Sequence, residues 1–292
     1  MRGRKLVLVG AAVALAITTA ACGGGGGKKG DLTSNKKVNF PAGSTMAKLN
    51  EAGKVKIGTK FDQPLFGLKG LDGTMEGFDV EIAKVIASEL GIAASNIQWV
   101  ETPSKIREEA IEKGDVDFVV ATYTINDKRK ERIAFAGPYY TAGQDIMVRS
   151  DDNSITGPES LKGSGKKVCS VSGSTPAEKI KEYADESQIV LFDVYSKCAD
   201  ALKDKQVDAV TTDNVILMGL VANSNGAFKV LSKPFTEEPY GIGVAKDDTD
   251  FRMWINDVLE KASKDGRYAD AWKKTAGKAD SNVPSMPAVN RY

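Results

Sequence analysis

The stretch "GDVDFVVATYTINDKR" (114–129) decides how this chain is read. Gly114 stops a charged, helix-periodic segment, and Val116–Thr122 is then a nearly unbroken apolar run ending in hydroxyls. A short apolar run bounded in this way is consistent with a strand covered on both faces. The same grammar returns in "KQVDAVTTD" (205–213): a helix end, then Val-Asp, then an apolar strand. Two uses of one pattern suggest two similar lobes.

Upstream of the first copy, "KVKIGT" (54–59) and "IQWVET" (97–102) read as strands. Between them "GFDVEIAKVIASELG" (77–91) carries Val80, Ile82, Val85, Ile86 and Leu90 at helical spacing, with Gly91 as the stop. "SKIREEAIEKG" (104–114) is a second helix. Strand-helix-strand-helix-strand order predicts an open, mostly parallel α/β sheet. The pattern restarts with "GKKVCSVSGS" (165–174), the helix "TPAEKIKEYADE" (175–186), the strand "IVLFDV" (189–194) and the helix "SKCADALKDKQ" (196–206). Thr175 is placed as the N-cap of the first of these helices, with Pro176 at its first position.

Two extended stretches, "AGPYYTAGQDIMVRS" (136–150) and "VLSKPFTEEPYGIGVAK" (230–246), separate the repeats and predict a two-strand hinge. "DFRMWINDVLEKASKDGRYADAWKK" (250–274) reads as two helices broken near Gly266 that return to the first lobe. The expected division is lobe 1 at 45–140 and 237–278, lobe 2 at 141–236, and a disordered tail at 279–292 around Pro284 and Pro287. The fold class is α/β, with two open mixed sheets.

The chain begins as an export signal would: Arg2, Arg4 and Lys5, an apolar run from Leu6 to Ile17, then small residues up to Ala21. The run is too short for the ~20 residues of a spanning helix. Small-small-Cys at this point resembles the bacterial lipobox, with Thr19 where that pattern usually has leucine. The resemblance implies a signal peptide at 1–21, a lipidated Cys22 and a flexible tether at 22–44 that starts with Gly23–Gly27.

The remaining residues, about 270, suit two lobes of ~100–150 residues each. The 40 basic and 39 acidic residues nearly balance, which argues against nucleic acid as a partner. Histidine is absent, which removes Ser-His-Asp and Cys-His nucleophile pairs and His-ligated zinc. Three cysteines are too few for a four-thiolate metal site, and no cofactor is called for. With Cys22 lipidated, Cys169 and Cys198 are left as a pair, which an oxidising compartment favours as a disulfide; two buried free thiols are the alternative.

Ligands of open α/β sheets sit at the carboxyl ends of strands. The loops there are "TKFDQPLFG" (59–67), "TPSKIR" (102–107), "TYTINDKR" (122–129), "SGSTP" (172–176), "VYSK" (194–197) and "TTDN" (211–214). They hold fixed cations, hydroxyls and one acid. Taken together, "GFDVEIAK", "VDFVVATYTINDKR", "FAGPYYTAGQDIMV", "VSGSTPAEK", "VDAVTTDN" and "PYGIGVAK" resemble the polar amino-acid group of solute-binding proteins that serve ABC uptake transporters. The likeness runs from about Val55 to Lys274. "GTKFDQPLFGL", "CSVSGSTPA" and "YSKCADAL" are most similar to actinobacterial glutamate-binding lipoproteins.

The resemblance implies a two-lobe periplasmic-binding-protein-like fold. The protein would be a monomer anchored on the extracytoplasmic face of the membrane, capturing L-glutamate and handing it to an ABC permease. It assigns Arg129 to the ligand α-carboxylate, with Thr122, Thr124, Ser174 and Thr175 alongside. A guanidinium fork meets a carboxylate with two parallel hydrogen bonds, and a helix N-terminus also favours an anion. Asp213 is assigned to the α-ammonium, and Arg107, Lys60 and Tyr195 to the side chain. Three cations against one acid favour glutamate over neutral glutamine, unless Asp62 pairs with Lys60 or Arg107.

The same residues have plainer readings. Arg107 and Arg129 lie in charged runs, Lys60 faces solvent, Asp213 caps a helix, Tyr195 is core, and Phe61 and Phe66 are core or cleft wall. A binder of glutamine, aspartate or several polar amino acids is the nearest alternative function. An enzyme on the same fold would want a cleft carboxyl of raised pKa, whereas the acids here sit beside cations that lower it. A tethered sensor module is the third class.

Overall fold

The computed structural model describes residues 35–292. The signal segment, Cys22 and the polyglycine run lie outside the described residues. Ser44 caps α1 (Thr45–Ala52) through its hydroxyl. Then come β1 (Val55–Thr59) and three short strands, β2 (Asp62–Gln63), β3 (Gly67–Lys69) and β4 (Met75–Glu76). Next are α2 (Phe78–Glu89), β5 (Ile97–Glu101), α3 (Arg107–Glu112), β6 (Phe118–Val119), α4 (Asp127–Lys130) and β7 (Ala134–Ala142). The chain continues through β8 (Gln144–Arg149), β9 (Val168–Val171), α5 (Thr175–Lys179), β10 (Ile189–Phe192) and α6 (Tyr195–Lys203). It ends with β11 (Ala209–Asp213), α7 (Asn214–Ala222), β12 (Phe228–Val230), β13 (Glu238–Val244), α8 (Thr249–Lys264) and α9 (Arg267–Lys274).

Two five-stranded sheets form, in the orders β5-β1-β6-β13-β7 and β10-β9-β11-β8-β12, with a separate three-stranded sheet of β2, β3 and β4. In the first, β1 runs parallel to β5 and β6, while β13 is antiparallel to β6 and β7. In the second, β9 is parallel to β10 and β11, and β8 is antiparallel to β11 and β12. The strand plans correspond one for one. The chain leaves the first sheet between β7 and β8 and returns between β12 and β13, so each sheet carries its antiparallel pair from the hinge segments.

Helix α2 buries Val80, Ile82 and Ile86, as its spacing predicts, together with Phe78 and Ala83, while Val85 is half-buried. Phe66 and Phe78 join Tyr140 and Trp272 in an aromatic cluster, in which Phe78 meets Trp272 edge-on at 5.3 Å and Tyr140 stacks on Trp272 at 5.5 Å. Helices α8 and α9 pack on β7 and α2, returning to lobe 1 across the break at Gly266. In lobe 2, Cys169 of β9 and Cys198 of α6 are disulfide-bonded with Cα atoms 5.6 Å apart.

Some local expectations shift. The helix read over 175–186 keeps α-geometry only to Lys179, and a 3-10 turn takes Ile180–Glu182. The ladder of β6 is two residues long, shorter than the apolar run. "NVILMGLVA", apolar on every side, has no periodicity to announce α7. Residues 35–44, read as tether, are pinned: Asn35 Oδ1 accepts the Ala93 N–H at 2.7 Å and Lys36 N donates to Gly91 O at 2.7 Å. The tail, read as disordered, lies along lobe 1. Asn290 N donates to Gly137 O at 2.7 Å, Phe135 N donates to the Tyr292 hydroxyl at 2.9 Å, and Arg252 donates to Tyr292 O. Met286 and Val289 add apolar contact there. Proline content flagged mobility, but docking of these groups decides order.

Candidate functional site

The carboxyl ends of the strands in both lobes face a tightly closed cavity of about 10 Å³. Lobe 1 lines it with Gln63, Ser104, Arg107, Thr122 and Thr124; lobe 2 lines it with Ser174, Thr175, Tyr195, Thr212 and Asp213. Seven of the predicted side chains therefore meet at one place: Arg107, Thr122, Thr124, Ser174, Thr175, Tyr195 and Asp213. Arg129 stands at the wider mouth beside them, with Glu108, Gly173 and Thr175. Lys60 is one layer back, its Nζ donating to Ser104 Oγ at 2.9 Å. Phe66 belongs to the core, and Phe61 lies on an outer groove, so neither walls the cavity.

Arg129 is the third residue of the four-residue α4, and the capping side chain of Asn126 accepts its backbone N–H. Its Nη1 donates to Thr124 O at 2.6 Å, its Nη2 reaches across to Gly173 O at 3.2 Å, and its Nε is 3.3 Å from Glu108 Oε1. Arg107 begins α3, donates to Ala121 O at 2.7 Å and lies 3.9 Å over the Tyr123 ring. The two arginines thus clasp one tyrosine, with Arg129 5.0 Å from its ring. Both are buried; the surface reading of their charged runs does not hold.

Lys60 and Arg107 are 2% exposed. Among the described residues neither has an ion-pair partner. Burial, reinforced by Arg107 and Arg129, pulls the Lys60 ammonium down to about 7; burial and then Arg129 bring Arg107 down to about 10. Asp62, which had to be considered as their partner, accepts instead from the backbone N–H groups of Tyr195 and Ser196 at 2.8 and 3.2 Å.

Asp213 precedes α7 without a side-chain capping bond. Its Oδ2 accepts from the Tyr240 hydroxyl at 2.6 Å, while Oδ1 is buried without a partner. Burial, followed by repulsion from Glu238, pushes its carboxyl up to about 7, against the opposing pull of Tyr240 and the two arginines. The expectation that cleft cations would depress this acid is therefore reversed: desolvation wins because the carboxylate is dry and the cations are not its hydrogen-bond partners. Tyr195 is raised to about 12 by burial and by Asp213.

The cap of α5 falls one residue earlier than expected. Ser174 is the N-cap, its Oγ accepting from Ala177 N at 3.1 Å, and Thr175 is the first helical residue. The Thr175 hydroxyl bonds to Glu238 Oε2 at 2.8 Å and to Thr124 Oγ1 at 3.3 Å, joining the lobes.

Several supporting residues escaped the sequence reading. Asp79, inside "GFDVE", accepts from Thr122 N at 2.7 Å and from the Tyr139 hydroxyl at 2.6 Å, and burial pushes its carboxyl up to about 7. It holds Thr122 at φ 45°, a backbone region that β-branched residues rarely enter. A carboxylate among the apolar residues at the start of α2 was the available signal. Gln63, whose Oε1 accepts from the Thr122 hydroxyl at 3.0 Å and whose Nε2 is unpartnered, had no such signal. Glu238 and Tyr240 come from the hinge strand and reach the site only through the fold.

Two lobes that close strand-end loops over a small polar cavity define a two-lobed ligand-binding protein of the α/β class. Residues 55–278 match the family model of bacterial extracellular solute-binding proteins, family 3, and the chain belongs to that family. It is 43% identical over 242 residues to the glutamate-binding protein GluB of Corynebacterium efficiens, covering 80% of this chain and 82% of that one. It is 41% identical to the ABC transporter glutamine-binding protein GlnH of Bacillus subtilis, covering 79% and 84%. Among solved structures, an ancestral arginine-binding protein bound to glutamine superposes with a TM-score of 0.71 at 36% identity, covering 76% of this chain and 97% of that one.

Proposed function

We propose that this protein captures L-glutamate between its lobes and delivers it to an ABC permease. The observation that carries the reading is a pair of buried cations, Arg107 lining the cavity and Lys60 one layer behind it, neither of which has an ion-pair partner among the described residues. A dry cation without a counter-ion is costly. A γ-carboxylate would relieve both cations, whereas glutamine's amide would relieve neither charge. Arg129, with Thr122, Thr124, Ser174 and Thr175, takes the α-carboxylate, and Asp213 with its free Oδ1 takes the α-ammonium. Tyr195 adds a hydroxyl to the side-chain end. Similarity to both a glutamate- and a glutamine-binding protein supports an amino-acid ligand and makes glutamine the second candidate.

Chain division follows the sequence reading: a signal peptide at 1–21, Cys22 as the lipid anchor on the extracytoplasmic face, and a monomer whose lobes meet at the two hinge crossings. We assign no catalytic step. The raised Asp213 carboxyl is a group a catalyst would also use, but here it faces two arginines suited to holding an anion. A thermal-unfolding panel of the protein lacking residues 1–27, with each of the twenty L-amino acids, tests the reading. Ligand at ~100 times its dissociation constant adds about 2.7 kcal/mol. The expected result is a large shift with glutamate and smaller ones with aspartate and glutamine. No shift with any amino acid overturns it.

A further inference from the structure

Helix α6 lacks a cap of its own. Its N-cap residue is Val194, whose side chain accepts nothing, and its first turn holds no acid. Apolar residues are the poorest N-caps, and the first N–H groups of a helix need an acceptor. The acceptor comes from the other lobe: Asp62 Oδ2, on β2, takes the N–H groups of Tyr195 and Ser196. A second contact lies two residues on. Gly219 is in the middle of α7, where glycine weakens a helix. A Cβ added there would stand 2.2 Å from the Pro64 carbonyl oxygen of lobe 1. β2 packs against both α6 and α7. Neither Pro64 nor Gly219 borders the cavity, and Asp62 turns its carboxylate to the α6 backbone.

We propose that the Asp62–Pro64 segment of lobe 1 is a latch that holds the lobes closed by capping α6 and seating on Gly219 of α7. The latch is a positioning device: it acts on the closed form and not on the ligand. It rests on the reading that the lobes close over an amino acid. Because apparent affinity scales with the population of the competent state, the latch strengthens every ligand by the same factor. Residues that touch the ligand change the ratio between ligands instead.

The test compares Asp62→Ala, Asp62→Asn and Gly219→Ala in titrations with glutamate and glutamine, together with release rates and small-angle scattering. Loss of a helix cap predicts binding roughly 2- to 30-fold weaker for Asp62→Ala, equal for both ligands and expressed in faster release. Asparagine caps as well as aspartate, so Asp62→Asn should bind as the parent does. Asp62 also lies near Lys60, and a purely electrostatic role would make the asparagine variant as weak as the alanine one. Gly219→Ala should weaken both ligands by roughly 5- to 150-fold, the cost of overpacking a filled contact, although alanine favours the helix itself. Unchanged affinity in Asp62→Ala and Gly219→Ala, unequal losses for the two ligands, or an asparagine variant that fails to rescue would each overturn the latch. If the parent protein binds no amino acid, the ligand reading fails by itself. Scattering then decides the latch: an Asp62→Ala variant more extended than the parent supports it, and equal dimensions overturn it.

Discussion

The lobes share a strand plan but differ in what holds them and in what they offer. Lobe 1 is built round rings: Phe66, Phe78, Tyr139, Tyr140, Tyr240, Tyr268 and Trp272 interlock under its sheet, and the chain's end lies across it. Lobe 2 has one such pair, Tyr183 with Phe235, and a disulfide instead. Toward the cavity lobe 1 presents the buried Arg107 among Gln63 and hydroxyls, backed by Lys60, whereas lobe 2 presents hydroxyls, helix beginnings and the acid Asp213. The difference teaches that one topology separates two tasks. The ring-rich lobe carries the buried cations, and the other supplies hydroxyls, helix beginnings and the acid Asp213.

The largest expected effect is on the cationic side. Arg129→Ala should remove detectable amino-acid binding, since truncating one partner of a buried charge pair costs about 2–5 kcal/mol or more. Calorimetric titration checks it, and near-unchanged affinity would remove Arg129 from the α-carboxylate. The next breaks lobe 2 alone. Replacing Cys169 and Cys198 together by alanine should cost roughly 3–4 kcal/mol in the chain-entropy account of a crosslink. Denaturant unfolding followed by tryptophan fluorescence and by circular dichroism should then separate, because Trp99, Trp254 and Trp272 all belong to lobe 1. Coincident transitions at the parent's midpoint would contradict the division of labour.

Arg107→Ala sharpens the contrast within the site. Glutamate should lose about tenfold more affinity than glutamine, since only glutamate carries the second negative charge; equal losses would place Arg107 outside the side-chain end. The smallest effect is on pH. A bound ammonium favours the Asp213 carboxylate, so binding must expel a proton below about 7 and affinity falls as pH drops. A bound γ-carboxylate favours the Lys60 ammonium, so binding must take up a proton above about 7 and glutamate affinity falls as pH rises. Glutamate should show both limbs and glutamine only the acid one. A flat profile for glutamate between pH 6 and 8 would sink this account of both groups.

Much of the fold was legible because strand and helix periods are local. "GFDVEIAKVIASELG" and the two Val-Asp strands announce themselves through spacing and glycine stops. α7 was not legible, because a helix buried all round carries no amphipathic period. The short strands β2, β3 and β4 were hidden for another reason: two- and three-residue ladders have no pattern to read.

By itself the sequence determined which residues stand at strand ends, that histidine chemistry is absent, and that Cys169 and Cys198 were available to each other. Those follow from composition, periodicity and order along the chain. Tertiary structure alone decided that Asp62 serves the opposite lobe, that Asp79 holds Thr122, and that burial raises rather than lowers Asp213. Partners distant in sequence and the degree of desolvation are properties of packing, and packing is set only when both lobes and the hinge are in place.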